Sequence, residues 1–371
     1  MLILEVLFYS FVAVVVIQVL YYAVLFGSFA FSKSITTSLN RNYPISVIIC
    51  AKNEAQNLKK FLPSILNQSY PNFEVVLIND SSHDETLDVF EDFKSKHSNI
   101  KIVDVKNIEA FWGNKKYALS LGIKAATHNH LLFIDADCQP VSNQWIDKMS
   151  QSFNDENTII LGYGAYNKIK NSFLNKLIRF ETLLTATQYF SFAKVGIPFM
   201  GVGRNLAYHR DEFFKTNGFI KHMKIRSGDD DLFINEAANA TNTAICYNKE
   251  SFTSSIPKSS LKDWFKQKRR HVSTAQYYKF KHQFLLASFY ISQILFWTLA
   301  IVLSITTYLW PFVLGLIILR FIIQFLSLGF SANKLDEKDT ILLLPILEIT
   351  LIVLQFSIFI ANKISKPNYW K

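Results

Sequence analysis

The chain has 371 residues, of which 50% are hydrophobic and 18% charged, and its formal net charge is +10. Its apolar residues are concentrated near the two ends, whereas residues 40–282 have an ordinary globular composition, which indicates a globular domain between membrane segments. Three widely spaced cysteines, Cys50, Cys138 and Cys246, match neither a disulfide framework nor a zinc site. We expect them to be small buried residues in a reducing compartment.

Much of the positive charge is local. Between Lys258 and His282 there are eight lysines and arginines against one acid, Asp263. Such a cluster is compatible with nucleic-acid binding, but a long apolar run follows it directly. We therefore expect the segment 258–283 to be an amphipathic helix, with Trp264 and Phe265, at an anionic membrane surface.

The first apolar segment, residues 6–31, is long enough to span a bilayer. A cleaved signal peptide is disfavoured because Glu5, rather than a positive region, precedes the apolar run. Lys33 and Arg41 follow the segment. The positive-inside rule then predicts an external amino terminus and a cytoplasmic middle domain, in a multi-pass protein of the cell (inner) membrane.

Strand and helix patterns alternate four times in the middle of the chain, which predicts an α/β fold with a doubly wound, mainly parallel sheet. The strands are expected at 45–50, 73–78, 100–105 and 131–134, and the helices at 58–66, 85–96 and 115–126. No glycine-rich phosphate loop of either common pattern occurs. The sequence therefore supports neither an ATPase nor a dinucleotide dehydrogenase.

The strand at 131–134 ends in two acids, Asp135 and Asp137, separated by one alanine. Ligands bind at the carboxyl ends of strands in such sheets. Two carboxylates on one side of the chain repel each other unless a cation lies between them, and hard divalent ions take oxygen ligands of this kind.

Three apolar segments follow the globular region, at 284–306, 312–330 and 341–360, and each is long enough to span a membrane. Three further spans would leave the tail, with Lys363, Lys366 and Lys371, outside, against the positive-inside rule. One segment is therefore expected to lie in the interface or to re-enter. Because charges are costly inside a bilayer, Arg320 and Glu348 are predicted to pair across two helices.

Six motifs occur in a fixed order along residues 44–271: SVIICAKNE, VVLINDSSHDET, NKKYAL, LLFIDADC, SGDDDL and QKRRH. This series resembles family 2 of the inverting glycosyltransferases, in the branch of membrane-bound polysaccharide synthases. The resemblance implies a GT-A fold with flanking transmembrane helices and a nucleotide-sugar donor.

On the donor side, the resemblance implies that Asp80 contacts the base or ribose of the nucleotide, with Glu54 at the same rim. Lys115 is expected to support the acids or the diphosphate, and its neighbour Lys116 to face solvent. Asp84 is either part of this rim or a cap of the next helix. Asp135 and Asp137 would bind Mg²⁺ or Mn²⁺ bridging the diphosphate, with Asp137 the surer ligand.

The resemblance also places acceptor-side and catalytic residues. Asp229 is the expected general base, and Asp230 competes for the role because Gly228 stands where the family has a glutamate. The residues expected to contact the acceptor or the diphosphate are Gly203, Arg204, Asn205, Gln267, Arg270 and His271. His271 replaces a tryptophan of the family pattern, which puts processive polymerisation in question.

These features predict a membrane-anchored glycosyltransferase that moves a sugar, from a UDP-sugar by preference, to a glycan or lipid-linked acceptor. Its parts are expected at 1–40 (membrane helix and linker), 41–257 (GT-A domain), 258–283 (interfacial segment) and 284–371 (membrane region). One alternative is the transfer of a single sugar to a lipid carrier or glycolipid. Another is a non-catalytic scaffold or transporter subunit. The oligomeric state is open.

Overall fold

The computed structural model describes residues 1–33, 42–106, 115–225 and 227–365. Arg41, Arg226, Lys366 and Lys371 lie outside these ranges. The helices are α1 (Leu2–Ala30), α2 (Ala55–Leu66), α3 (Thr86–Lys96), α4 (Lys115–Ala125), α5 (Trp145–Ser150), α6 (Phe173–Lys194), α7 (Arg210–Lys215), α8 (Asp231–Ala237), α9 (Leu261–Val272), α10 (Phe280–Ile305), α11 (Trp310–Lys334) and α12 (Leu344–Ile364). The strands are β1 (Ile45–Ala51), β2 (Phe73–Asp80), β3 (Ile100–Val105), β4 (His130–Phe133), β5 (Cys138–Pro140), β6 (Ile159–Leu161), β7 (Gly164–Tyr166), β8 (Leu206–His209), β9 (Thr243–Ile245) and β10 (Thr253–Ser255).

The main sheet confirms the predicted mixed, mostly parallel α/β fold. Its strand order is β3-β2-β1-β4-β8-β6-β9, with β8 antiparallel to β4 and to β6. The strands β1 and β2 are almost continuously apolar and buried, because α/β crossovers cover both faces of the sheet. A small second sheet, in the order β5-β10-β7, stands beside it.

The site position follows from the order of the strands. From β1 the chain builds the sheet outwards through β2 and β3, and then returns to add β4 on the other side of β1. The order therefore reverses between β1 and β4. A crevice forms at the carboxyl ends of the strands at such a switch point, and Asp135 follows β4 there.

Four helices, α1, α10, α11 and α12, are long and apolar enough to cross a membrane. Helix α1 contains a six-residue π-helical stretch, Leu20–Leu25. The chain leaves α1 next to the globular domain and returns to it at the end of α11, where Lys334 donates to the carbonyl of Phe29, 2.6 Å away. These contacts place the end of α1 and the end of α11 on one side of the apolar helices.

Helix α12 does not run away from the globular domain. The segment before it is held by Arg179 of α6, which binds Asp339 at 2.8 Å. At its other end, Asn362 accepts a hydrogen bond from Arg269 of α9 at 2.9 Å. Between these points, Tyr290 of α10 donates to the carbonyl of Ile352 at 3.0 Å. Both ends of α12 therefore meet elements of the domain side.

This arrangement resolves the conflict over the tail of the chain. Helix α12 packs one face against the protein and leaves an apolar stripe exposed, including Ile346, Val353 and Phe356. A helix with both ends on one side and one apolar face outward lies along the membrane interface. Lys363, near the end of α12, therefore lies on the side of the globular domain, as expected if this segment is the one that lies in the interface or re-enters.

The predicted pair of Arg320 and Glu348 is confirmed. Arg320 Nη1 lies 2.9 Å from Glu348 Oε2, and both side chains are fully buried. Three glutamines complete the cluster. Gln18 accepts from Arg320 at 3.0 Å, and Gln293 and Gln324 each donate to Glu348 at 3.0 Å. The cluster thus joins α1, α10, α11 and α12 through polar contacts, although Arg320 Nε has no hydrogen-bond partner among the described residues.

Candidate active site

One cleft of about 390 Å³ opens at the carboxyl ends of β1, β2 and β4. This volume is in the range of small-molecule sites, about 300–1,000 Å³. From the strand ends the cleft continues past α6 and α9 to the apolar helices, where Leu286 of α10 and Gln355 of α12 line it. It therefore connects the acids of the sheet with the interfacial region.

At the strand end of the cleft, Asp80 is the last residue of β2 and its side chain is buried. One of its oxygens, Oδ2, has no hydrogen-bond partner among the described residues, and Lys52 Nζ lies 3.9 Å from it. Burial raises the pKa of the Asp80 carboxyl above its ordinary value. A buried acceptor left open towards a cleft is suited to an N–H or O–H donor of a ligand.

Glu54 lines the same end of the cleft and is also buried. Its carboxylate accepts a hydrogen bond from Asn57 at 2.5 Å. Asp84 is not a lining residue; its oxygens accept from the backbone N–H groups of Thr86 at 3.0 Å and Ala55 at 3.1 Å. The capping alternative therefore holds for Asp84.

Asp135 and Asp137 both line the cleft and are partly exposed to it. One ligand atom from each of them and the thiol of Cys138 lie within 4.8 Å of one another. Burial and the neighbouring charge of Asp135 raise the pKa of Asp137. Two carboxylates that share one opening and lack a full counter-charge fit a hard divalent cation such as Mg²⁺ or Mn²⁺.

Lys115 links the acid pair to the candidate base. Its Nζ lies 2.9 Å from Asp135 and 2.8 Å from Asp229, and the side chains of Lys115 and Asp229 are largely buried. Burial alone would lower the pKa of Lys115, but these two carboxylates raise it well above its ordinary value. Lys115 therefore remains charged and holds the two acids in one arrangement.

The expectation that Lys116 faces solvent is wrong. Lys116 is almost completely buried, and its ammonium donates to the carbonyls of His222, Ile225 and Ser227 at 2.7–3.0 Å. Burial lowers its pKa to about 8. These three carbonyls belong to the segment that leads to Asp229, so Lys116 positions the loop that carries the candidate base.

The two candidate bases differ in their surroundings. Burial would raise the pKa of Asp229, but Lys115 holds it below its ordinary value. Asp230 accepts from the backbone N–H of Gly203 at 2.7 Å, and burial together with Asp229 and Asp231 raises its pKa to about 7. Both acids line the cleft. Asp229 is held in the charged form, whereas the pKa of Asp230 lies close to neutral pH.

Gly228 explains the departure from the family pattern at this point. Its φ is +91°, a left-handed value that residues with a side chain rarely adopt. A Cβ there would lie 2.5 Å from Leu232, so a glutamate does not fit. Asp231 is not a candidate base, because its carboxylate accepts hydrogen bonds from Thr274 and from Tyr278, which is 2.7 Å away.

The structure separates the three residues of the glycine loop. Gly203 and Arg204 line the cleft, and Arg204 donates to Ser255 at 2.9 Å while its guanidinium lies 4.3 Å from the Tyr166 ring centre. Asn205 is fully buried behind the loop. It accepts from Trp145 at 3.0 Å and donates to two backbone carbonyls. The prediction that Asn205 contacts the acceptor substrate or the diphosphate is therefore wrong, because its hydrogen-bonding groups are used inside the protein.

The residues of the QKRRH motif lie on α9 at the far end of the cleft. Gln267, Arg270 and His271 all line it. The residue between them, Lys268, reaches across to Glu181 of α6 at 2.5 Å. Sequence reasoning did not single out Glu181, or the polar residues Gln188 and Gln355 that line the same end. Their signal was weak, since each stands alone among apolar residues.

Acids from distant parts of the chain are gathered at the switch point of a mostly parallel sheet, and this sheet has the arrangement of a GT-A fold. Residues 46–216 match the family described as glycosyl transferase family 2. A mannosyltransferase from Pyrobaculum calidifontis, solved with GDP-Man and Mn²⁺, has a similar fold. Its structure covers 90% of this chain and 98% of its own, with a TM-score of 0.57 and 17% identity. The chain is therefore similar to glycosyltransferase family 2 over residues 46–216, and its overall fold is of the GT-A type.

Two curated relatives match shorter segments. Poly-beta-1,6-N-acetyl-D-glucosamine synthase of Staphylococcus epidermidis is 38% identical over 93 residues, which are 25% of this chain and 21% of that protein. A glycosyltransferase of Haemophilus influenzae described as uncharacterized is 32% identical over 125 residues, 34% of this chain and 37% of that protein. The matched segments thus cover well under half of these relatives.

Proposed function

We propose that this protein transfers a sugar from a nucleotide sugar, preferably a UDP-sugar, to a glycan or lipid-linked acceptor at the membrane surface. The observation that carries the proposal is the single cleft, which holds Asp80, Asp135, Asp137 and Asp229 at one end and residues of the interfacial helices at the other. The first end suits a nucleoside diphosphate and the second an acceptor that arrives from the bilayer. The relatives named above support the reaction class.

In the proposed reaction, Asp80 and Glu54 hold the nucleoside, and Asp135 and Asp137 would hold Mg²⁺ or Mn²⁺. Such an ion neutralises charge on the departing diphosphate. The acceptor oxygen forms a bond to the anomeric carbon from the side opposite the diphosphate, whose carbon–oxygen bond breaks. The acceptor proton goes to the carboxylate of Asp229, which Lys115 keeps charged and therefore able to accept it.

The membrane side follows from the charges on the domain face. Lys33, Lys363 and the exposed lysines of α9, Lys262 and Lys266, all lie on that face. We place this face in the cytoplasm, where lysine is enriched beside membrane helices. Anionic lipid, rather than nucleic acid, is the expected partner of α9, because its exposed lysines precede the apolar helices. Trp264, which was expected at the membrane surface, is instead buried in the protein.

A transporter function is disfavoured by the polar cluster around Arg320 and Glu348. A transporter requires a connected polar path, whereas these side chains are fully buried and bind one another.

The test of the proposed transfer is release of nucleoside diphosphate by the purified chain in lipid nanodiscs, with a panel of nucleotide sugars and Mn²⁺. Release that depends on one of these sugars supports the proposal. No release with any of them leaves a non-catalytic membrane protein.

A further inference from the structure

The membrane end of the cleft has an unusual wall, formed by helix α6. From Leu177 to Ala193 this helix is buried at every position except Glu181, Thr185 and Gln188. These three residues are spaced four and three apart, so they form one stripe on the helix, and all of them line the cleft. Within this range the partly exposed positions are all polar, and all of them face the cleft.

Amide groups from two further helices face the same region. Gln267 of α9 lines the cleft, and its buried Oε1 has no hydrogen-bond partner among the described residues. Gln355 lies in α12, whose neighbouring residues are almost all apolar, and it also lines the cleft. Neither Gln188 nor Gln355 makes a hydrogen bond to a described residue. The buried Oε1 of Gln267 costs free energy unless something binds it, and the partly exposed amides of Gln188 and Gln355 are open to the cleft.

The charged groups at this end of the cleft lie on α6 and α9. Lys268 and Glu181 form an ion pair at 2.5 Å, Thr185 donates to Glu181 at 3.2 Å, and Arg270 is a further cation that lines this end. Two cations of the cleft serve its other end: Lys115 binds Asp135 and Asp229, and Arg204 is held beside the acid pair. The three glutamines outnumber the two cations at the membrane end and offer neutral donors and acceptors there.

We propose that Gln188, Gln267 and Gln355 bind the hydroxyl groups of a sugar at the end of the acceptor. The acceptor is then a glycan held at the membrane interface, not the bare phosphate of a lipid carrier. Side-chain amides both donate and accept, as hydroxyl recognition requires, whereas a phosphate monoester needs cations. This inference rests on the proposed transfer reaction and identifies the class of its second substrate.

The test uses the full chain in nanodiscs, with the nucleotide sugar that gives the most nucleoside diphosphate. Hexyl β-glycosides serve as sugar acceptors and a polyprenyl phosphate as the phosphate acceptor. We expect product on at least one glycoside. In Gln188→Leu and Gln355→Leu the KM for that glycoside should rise about tenfold each, the loss expected for about 1.4 kcal/mol of hydrogen bonding. As this KM rises, the ratio of sugar transfer to donor hydrolysis should fall in the same variants.

Thr350→Val is the matched control, because Thr350 is partly exposed on the same helix and lies outside the cleft; among the described residues its hydroxyl donates only to the carbonyl of Ile346, 2.7 Å away. Its KM for the glycoside should stay at the wild-type value. If Gln355→Leu does not fold, Gln355→Asn and Gln188→Leu carry the comparison. Product on the polyprenyl phosphate alone, or an unchanged KM in the variants, overturns the inference while leaving the transfer reaction intact. Absence of donor cleavage in the wild type removes both proposals.

Discussion

The ammonium of Lys115 lies 2.8 Å from the carboxylate of Asp229. This ion pair joins the first residue of α4 to the loop before α8, and the same lysine also binds Asp135. Because Lys115 is the shared partner, the electrostatic state of the candidate base depends on the donor-side acids. Removal of the lysine should therefore affect donor binding and proton transfer together.

We expect Lys115→Met to lower kcat at neutral pH by about 100-fold, within the range seen when general-base catalysis is impaired. Lys115 lowers the pKa of Asp229, so its loss should raise that pKa. The acidic limb of the kcat/KM profile should then move to higher pH. Lys124→Met, an exposed lysine of the same helix, is the control. An acidic limb that stays in place contradicts the assignment of Asp229 as the base.

The choice between the two candidate bases can be made by paired variants. Asp229→Asn should reduce kcat by about 10³-fold, within the range for loss of a general base, with little change in the KM for the donor. Asp230→Asn should retain much more activity, because Asp230 already uses its oxygens to accept from Gly203 and Asp231. The reverse order of the two losses assigns the base to Asp230.

Asp230 should also give stability a pH dependence. Its pKa is raised from 3.8 to about 7, so the folded state binds this proton more tightly than the unfolded state. The stability contributed by that proton is complete below about pH 4 and is lost as pH rises to about 7. The unfolding temperature of the wild type, relative to Asp230→Asn, should therefore fall across this interval. Asp92→Asn, an exposed acid, should show no such trend.

The sheet could be predicted from sequence because its signals are local. Short apolar runs placed β1 to β4 within two residues of their ends, and the predicted helix at 115–126 corresponds to α4. A local pattern also gave Asp135 and Asp137, which follow the end of β4, whereas the other acids of the cleft were placed by the resemblance to the family. The Arg320–Glu348 pair followed from the cost of charge in a bilayer.

The predictions that the structure contradicts depend on contacts between residues far apart in the sequence. Nothing near Lys116 indicates that three carbonyls more than 100 residues later will bury it. Asn205 stands in a loop rich in glycine, and only the fold brings Trp145 to it. The direction of α12 likewise depends on Arg269, far away in the sequence, so apolar length alone left open which segment lies in the interface or re-enters.

The metal site can be tested without turnover. With Mn²⁺ present, a bound nucleotide sugar should raise the unfolding temperature of the wild type, since a ligand at 100 times its Kd adds about 2.7 kcal/mol. Asp137→Ala should lose the part of this shift that needs the metal. Asp147→Ala, an acid outside the cleft, should keep it. A full metal-dependent shift in Asp137→Ala would exclude Asp137 as a ligand.

The last prediction concerns the cluster inside the apolar helices. Replacing one partner of a buried ion pair costs about 3–5 kcal/mol, because the other charge loses its counter-ion. Arg320→Glu and Glu348→Arg should therefore each reduce membrane expression and the unfolding temperature. The double variant should recover much of both, because the glutamines that surround the pair can turn their amides to either charge. A double variant no better than the singles would show that the orientation of the pair, and not the pairing alone, holds α11 and α12 together.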